Sequence, residues 1–560
     1  MSLTDWLVLV ATIGSLITYG VWKSRRDQTM DGYLLGNRSL AWYQVGLSVM
    51  ATQASAVTFL SAPGQAYTDG LRFVQFYFGL PLAMIVIAAT FIPLFHRLKV
   101  YTAYEFLENR FDLRTRTLTS LLFLVPRFLS TGITIYAPSL ILSTLLNWDI
   151  VWTNVFMGGL VIIYTTSGGV RAVAYTHVQQ MAIVFIGMFL AGYMVVHLLP
   201  NGVGFVDTLR VAGKLGKLNA IDWKFDLTNR YNVWSGLIGG FFLQLSYFGT
   251  DQSQVGRYIS GESVGQSRLG LLMNGLLKIP MQFLILLVGS LVFVFYLYHA
   301  PPLNFNKAEV AAVQSTPGYR QLAAEHERLS AQKAAETATL HAALERGDEA
   351  AIVAAQTRLR AAEASVSAAR KGVADLIKAR GGDPNDTNYV FLHFVVNQLP
   401  VGLVGLLIAV IFVASMGSTA SALNSLTSCF VVDIYRRMLR PHETERHYVR
   451  FSRGLTACWG AACVGVAMFA NRMGSLIEAV NVLGSLFYGT VLGVFLVAFY
   501  FKKLGAKATF WAAVGAELLV VLFWWLDLTA FLWLNLIGCV LVIGLAAGIQ
   551  RFVEKNGTRS

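Results

Sequence analysis

Ser48-Val49-Met50-Ala51-Thr52-Gln53-Ala54-Ser55-Ala56-Val57-Thr58-Phe59-Leu60-Ser61-Ala62-Pro63-Gly64-Gln65 lies inside an apolar run long enough to cross a membrane, yet suits a straight helix poorly. Small and hydroxyl residues fill its middle, and Pro63-Gly64 interrupts helical hydrogen bonding. Two readings stay open at this point. A discontinuous helix of this kind frees backbone carbonyls for ions, as in many transporters. Small residues also let two helices pack closely without any further role.

Working outward, the rest of the chain needs lipid as its solvent. Of 560 residues 55% are apolar and 13% charged, about half the charge of a soluble domain. Thirteen candidate spans lie near 5–22, 43–67, 73–96, 119–145, 151–170, 178–199, 234–256, 269–298, 391–430, 453–470, 476–501, 508–526 and 529–550. The 391–430 run exceeds one span, so the part up to Pro400 is expected to be a separate interfacial helix. The apolar run Trp6 to Trp22 has no basic residue before it and Lys23, Arg25 and Arg26 after it. That charge order is wrong for a cleaved signal and right for a first span with its N-terminus outside. On that orientation the cytoplasmic segments hold 25 Lys and Arg and the short outside segments seven, which leaves the C-terminus inside. The net charge of +13 is accounted for by these loops, and nucleic acid is not expected as a partner. Cys429, Cys458, Cys463 and Cys539 have neither metal-site nor disulfide spacing and read as small buried side chains.

One segment is soluble. Between 301 and 388 the composition turns to Ala, Glu, Arg and Lys. Ile352, Leu359, Val366 and Val373 recur every seven residues, with Ala355, Ala362, Ala369 and Leu376 three further on. This seam, and an earlier helical stretch over 318–345, predict a helical hairpin outside the membrane. Structural decoration and docking of an unidentified partner are its two readings. The chain divides accordingly: 1–42, a first transmembrane helix and cytoplasmic loop; 43–300; the 301–388 insertion, on the extracytoplasmic side; 389–502; and 503–560, the last transmembrane helices and a short tail.

Ionisable residues within spans mark functional positions, because charge in lipid is costly. Arg127, His177, Asp251 and Lys278 are marked on this ground, whereas Asp433 and Glu478 fall near span ends. In the later run Ala414-Ser415-Met416-Gly417-Ser418-Thr419-Ala420-Ser421-Ala422-Leu423-Asn424-Ser425, the hydroxyls of Ser418, Ser421 and Ser425 share one helical face. With freed carbonyls such a stripe suits a hard cation; each Ser bonding back to its own helix is the plain alternative.

Four stretches together resemble the sodium/solute symporter (SSS) family. They are Gln53 to Gly64; Thr166-Ser167-Gly168-Gly169-Val170-Arg171-Ala172-Val173; Tyr247-Phe248-Gly249-Thr250-Asp251-Gln252 through Arg257-Tyr258; and Ala414 to Asn424 ending in Asp433-Ile434-Tyr435. Their order and spacing match over roughly 43–440. The resemblance implies an all-α membrane protein of LeuT type, with two inverted five-helix repeats in the second to sixth and seventh to eleventh spans. It implies a sodium ion held by the carbonyls of Ala51, Ala54 and Ala414 and the hydroxyl of Ser418. Many members carry a second hydroxyl just before the last of these, where this chain has Gly417.

By the same resemblance the substrate-facing positions are Gln53, Ser55, Thr58, Gln75, Gln244 and Lys278, and Tyr247 is an inner gate. Gln75 stands where some sugar carriers have an acidic ligand, which disfavours a hexose. Arg127 stands where carriers of carboxylated solutes have an arginine, so it is expected to pair with an anionic group of the solute. A salt bridge inside the bundle, with Asp251 as partner, is the alternative. After Gly168-Gly169 the family continues to an Asp on the cation's cytoplasmic exit route; this chain has His177 there. One sodium per solute, or ion release modulated by protonated His177, is the expectation; a histidine bonding a neighbouring carbonyl is the structural alternative.

The function expected is therefore secondary active, sodium-coupled symport of a small anionic or carboxylated organic solute across the plasma (inner) membrane. Na⁺ is the coupling ion, with no organic cofactor; solute and lipid are the partners. A transporter-like sensor normally carries a fused signalling domain, and only Arg551 to Ser560 follow the last span. A membrane enzyme needs clustered His or acidic residues, and the nine histidines are scattered. A proton-coupled or uncoupled facilitator is the nearest remaining alternative.

Overall fold

The computed structural model describes residues 1–24, 30–470 and 474–557. It is built from α-helices, and among the described residues nine are long and apolar enough to cross a membrane. The helices used below are α1 (Leu3–Ser24), α2 (Trp42–Gln53), α3 (Ala56–Asp69), α4 (Leu80–Val86, continued by a π turn into Ile92–Leu98), α5 (Leu113–Leu146), α6 (Ile150–His197) and α7 (Phe205–Lys214). They continue with α8 (Gly240–Gly249), α9 (Gln252–Tyr258), α10 (Val264–Tyr298), α11 (Pro317–Arg346), α12 (Glu349–Ala379), α13 (Val390–Gln398), α14 (Leu403–Cys429), α15 (Glu445–Ala467), α16 (Leu476–Tyr500), α17 (Ala506–Trp525) and α18 (Phe531–Gly557).

Two spans are broken in the middle, and both breaks face inward. The first lies at Ala54-Ser55, between α2 and α3: Ala54 has ψ 79° and Ser55 is extended. Pro63 therefore does not make the break; it sits inside α3, where Gly64 lets the backbone of Thr387 cross. The second break, at Thr250-Asp251, separates α8 from α9, and the Asp251 carboxylate caps α9 by accepting from the Ser253 amide at 2.8 Å. Each break opens one of the two five-helix sets.

α10 runs alongside both halves of the first broken span. A Cβ on Gly270 would stand 2.6 Å from the Trp42 carbonyl oxygen, and one on Gly289 2.1 Å from that of Pro63. Glycine at these points is what brings the helices together. α14 is buried almost throughout, and Thr52 of α2 donates to Ser421 of α14 at 3.1 Å. α1 docks on this core: Asp5 accepts from the amides of Gly402 and Gly405 at 2.7 and 3.1 Å, satisfying the start of α14.

Three expectations change. The spans near 151–170 and 178–199 are joined by helix rather than by a loop, within α6 of 48 residues. α6 is not straight: the Tyr164 and Thr176 hydroxyls are hydrogen-bonded at 2.6 Å, whereas twelve residues of straight helix would set them about 18 Å apart. The chain therefore bends back between the two spans. α6 contains no proline, and the side chains of 167–169, 171 and 172 are outside the described ones. Cys458 is exposed on α15, while the other three cysteines are buried as expected. Asp433 is not at an interface but fully buried, holding Arg116 at 2.6 Å and the Thr102 hydroxyl at 2.7 Å. The separate helix before Pro400 is α13, and the soluble hairpin is α11 and α12. Its seam buries Ile352 through Val373 in the expected register and then Ile377 in place of Leu376.

Candidate solute and ion site

Where α2 gives way to α3, the main chain turns away from its own hydrogen bonds. The Ser55 amide donates to the Gln53 carbonyl at 3.0 Å and the Thr58 amide to Ser55 at 2.9 Å, a pattern tighter than an α-helix. Beside this turn is a cavity of about 90 Å³. Gln53, Ser55 and Thr58 form one wall, Arg127 of α5 and Tyr247 of α8 another, and Tyr488 of α16 closes it. Five helices, α2, α3, α5, α8 and α16, thus meet there.

Arg127 is the charge at this cavity, and it is engaged. Its guanidinium is ion-paired with Asp251, and donates to the Tyr488 hydroxyl at 3.2 Å. Tyr488 in turn donates to Asp251 at 3.0 Å. Arg127 also lies 5.6 Å from the centre of the Tyr247 ring, and the Tyr247 hydroxyl accepts from Gln254 at 2.8 Å. The Nε of Arg127 has no hydrogen-bond partner among the described residues. Nη2 is therefore committed to Asp251 and Tyr488, while Nε–H beside it on the same edge is not.

The remaining expected solute positions divide. Gln244 and Lys278 are fully buried but do not line the cavity, and their polar side-chain atoms lack partners among the described residues. Gln53 Oε1 is in the same condition. Lys278 sits on α10 between the Gly270 and Gly289 contacts, at the level of the first break. Buried polar atoms are ordinarily paired, which marks these three among the expected solute positions. Gln75 is elsewhere engaged: it donates to the Tyr231 carbonyl at 3.0 Å and accepts from the Asp222 amide at 3.0 Å, pinning the 219–234 loop. Its neighbours Phe76 and Tyr77 reach the cavity instead.

The four expected sodium ligands lie on α2, its break and α14, which the Thr52–Ser421 hydrogen bond holds together. The Ser418 hydroxyl donates to the Ala414 carbonyl at 3.0 Å, which leaves its lone pairs free to accept or ligate. His177, fully buried on α6, shares a hydrogen bond of 2.9 Å with Ser48 through Nδ1. Its Nε2 would stand 3.0 Å from a Cβ on Gly417, and Gln180 Oε1 2.3 Å from the same point. The two departures from the family pattern, His177 and Gly417, thus occupy one volume.

Sequence reading missed Tyr488 and Asn481, both on the cavity. With Gly484 they recur at i, i+3 and i+7 on α16, a stripe of the kind already used for α14.

A family model described as "Sodium:solute symporter family" matches residues 33–319 and 361–515. The unmatched stretch between them is most of α11, the turn after it and the first third of α12. Among similar curated proteins, the human sodium/iodide cotransporter is 27% identical over 532 residues, covering 91% of this chain and 69% of its own. The sodium/sialic acid symporter SiaT of Proteus mirabilis (strain HI4320) is 25% identical over 519 residues, 91% and 87% of the two chains. Human sodium-coupled monocarboxylate transporter 1 is 27% identical over 523 residues, 91% and 72%. Among solved structures, a substrate-bound, outward-open sodium-coupled sialic acid symporter superposes with a TM-score of 0.76 at 22% identity, over 98% of each chain. The overall fold is common to both.

Proposed function

The chain belongs to the sodium:solute symporter family, and from that membership we propose that it carries a small organic anion across the membrane together with sodium. The observation carrying this reading is the break at Ala54-Ser55, which opens onto a cavity bearing Arg127. Relatives named for iodide, sialic acid and monocarboxylates all move anions.

The solute's anionic group meets the unpartnered Nε–H of Arg127, beside the hydroxyls of Ser55 and Thr58 and the amide of Gln53. A guanidinium suits that task because its planar fork presents several donors in a fixed geometry to a carboxylate. Asp251 and Tyr488 hold Nη2, so the arginine stays oriented when the solute leaves. Gln244 and Lys278 lie behind the cavity and reach the solute only as the helices rock. Gln75 holds a loop and is not counted among the contacts. A cavity of about 90 Å³, against roughly 10–15 Å³ for one water on this measure, favours a solute of few heavy atoms.

Sodium sits between the Ala51 and Ala54 carbonyls on one side and Ala414 and Ser418 on the other. These are hard oxygen donors, and none is charged. With His177 against Gly417, a second cation has no carboxylate to hold it, so one sodium accompanies each solute. The protein is an integral, multi-pass membrane protein; we place its N-terminus and the hairpin outside and its C-terminus inside, in the plasma (inner) membrane.

A thermal-shift screen of small carboxylates and inorganic anions, run in NaCl and in KCl, tests the reading. Binders should stabilise by mass action only in sodium, and should then exchange by counterflow in proteoliposomes. Equal stabilisation in both salts would remove sodium coupling, and hits confined to uncharged solutes would remove the role of Arg127.

A further inference from the structure

The outer end of the half-helix α3 is held by a clasp that no part of the solute or ion site requires. α3 ends at Asp69 and turns at Gly70, whose φ is +71°. There the loop after α7 closes on it from two directions. The Lys217 carbonyl accepts from the Leu71 amide at 2.9 Å, and its ammonium donates to the carbonyls of Tyr67 and Thr68 at 2.7 and 2.5 Å. A Cβ on Gly70 would stand 2.5 Å from the Lys217 carbonyl oxygen, so only glycine allows this approach. A cation on the last carbonyls of a helix satisfies groups that have no partner within it, and matches the helix dipole.

The clasp is itself braced by the insertion. From α12, Gln356 and Arg360 both donate to the Lys214 carbonyl, at 2.5 and 2.9 Å. At the root of the hairpin, Phe305 packs edge-on to Tyr67, 5.7 Å between ring centres. The chain leaving it passes so close to Gly64 that a Cβ there would be 1.9 Å from the Thr387 oxygen. Hairpin, loop and half-helix form one continuous connection.

We propose that Lys217 is a positioning residue for transport: it holds α3 in the placement that closes the cavity from the hairpin side, and the α11–α12 hairpin is the strut that holds Lys217. The proposal rests on the cavity being the solute's route. Because α3 carries Ser55 and Thr58 at its inner end, freeing its outer end opens the cavity.

The clasp is poised. Burial lowers the Lys217 ammonium to about 8; Glu363 of α12 and Asp69 of α3 face it and oppose that shift without cancelling it. Phe293 of α10 lies beneath the ammonium, 4.3 Å from the ring centre. Released into water the ammonium returns to its usual range near 10.4. Clasping therefore releases a proton between these limits, and rising pH favours the clasped form, by up to about tenfold between pH 7 and 9.

The test uses the purified full-length protein in detergent, with Cys458→Ser and a reporter, Val480→Cys, on the cavity wall. The rate of modification by a charged thiol reagent is followed in NaCl and in KCl. Lys217→Met should raise the rate at least fivefold, and Gln356→Ala with Arg360→Ala, which alters only the strut, two- to threefold. Thiolate formation speeds modification as pH rises, so each variant is normalised to the same reporter in Lys217→Arg, which has no proton to lose. The normalised rate should fall from pH 7 to 9 with Lys217 present and stay level in Lys217→Met. An unchanged rate in Lys217→Met, or the same normalised fall in that variant, overturns the proposal. A reporter indifferent to sodium overturns the cavity reading instead.

Discussion

The guanidinium of Arg127 is only partly engaged: Asp251 and Tyr488 take Nη2, and Nε–H is without a partner among the described residues at a residue that lines the cavity. Arg127→Lys keeps the charge but loses the fork, so an anion identified in the screen should bind at least about tenfold more weakly. Measured by titration, unchanged affinity would free Arg127 from any contact with the solute. His177 and Gly417 have to be considered as a pair. A hydroxymethyl group at 417 would meet the imidazole and the Gln180 oxygen, so Gly417→Ser alone should weaken sodium binding through crowding. Combined with His177→Asp, it should gain a second sodium. Binding of radioactive sodium to the purified protein should give a Hill coefficient near one for the parent and above it for the double variant. A parent value near two would refute the single-ion reading. Arg127, His177 and Lys278 could be picked out from the sequence as ionisable groups within spans, because such groups stand out in apolar runs. Tyr488 could not, because a tyrosine in a span is ordinary until its partners are known.

Among the elements, the broken spans and the hairpin follow from local chemistry, while their neighbours follow from packing. Gly289 shows the difference. As one of 50 glycines its sequence context says little, yet its contact with Pro63 fixes how α10 lies on α3. Gly289→Ala must push backbone against backbone, and should cost about 1–3 kcal/mol, read as a lower midpoint of thermal unfolding. A midpoint at the parent value would mean that the two helices are free to part. In the hairpin the heptad register holds from Ile352 to Val373 and then slips to Ile377. The cause is geometric: a straight helix drifts about 20° per heptad against a seven-residue repeat, so after three heptads the following position comes round to the seam. Gln75 misled for another reason. Its place in the chain matches a solute position, but the 219–234 loop offers it a backbone donor and a backbone acceptor first.

At the scale of the whole molecule, orientation follows from where the basic residues fall. The 25 to seven division of Lys and Arg is the basis on which we place the hairpin outside. Ala350, exposed beyond the tip of the seam, gives a direct check. In a Cys458→Ser background, Ala350→Cys should react with a membrane-impermeant maleimide on intact cells. Reaction confined to inverted vesicles would reverse the orientation and with it the side on which the Lys217 clasp acts. The sequence conveyed the class of fold because the pattern of apolar runs is a property of the chain as a whole. It did not convey that the spans near 151–170 and 178–199 are joined by bent helix rather than by a loop, since nothing in local hydropathy distinguishes the two there.

The interruption at Ala54-Ser55 also bears on genetics. The oxygens it offers belong to the main chain, and the residues that carry three of the four proposed contacts, Ala51, Ala54 and Ala414, are alanine already. An alanine scan would pass over them without a signal, and a deep mutational map would record only bulk, never the loss of a donor atom. A site written in peptide bonds is invisible to substitution. It becomes visible when the bond itself is edited, by replacing a single amide with an ester during semisynthesis and asking whether sodium still binds.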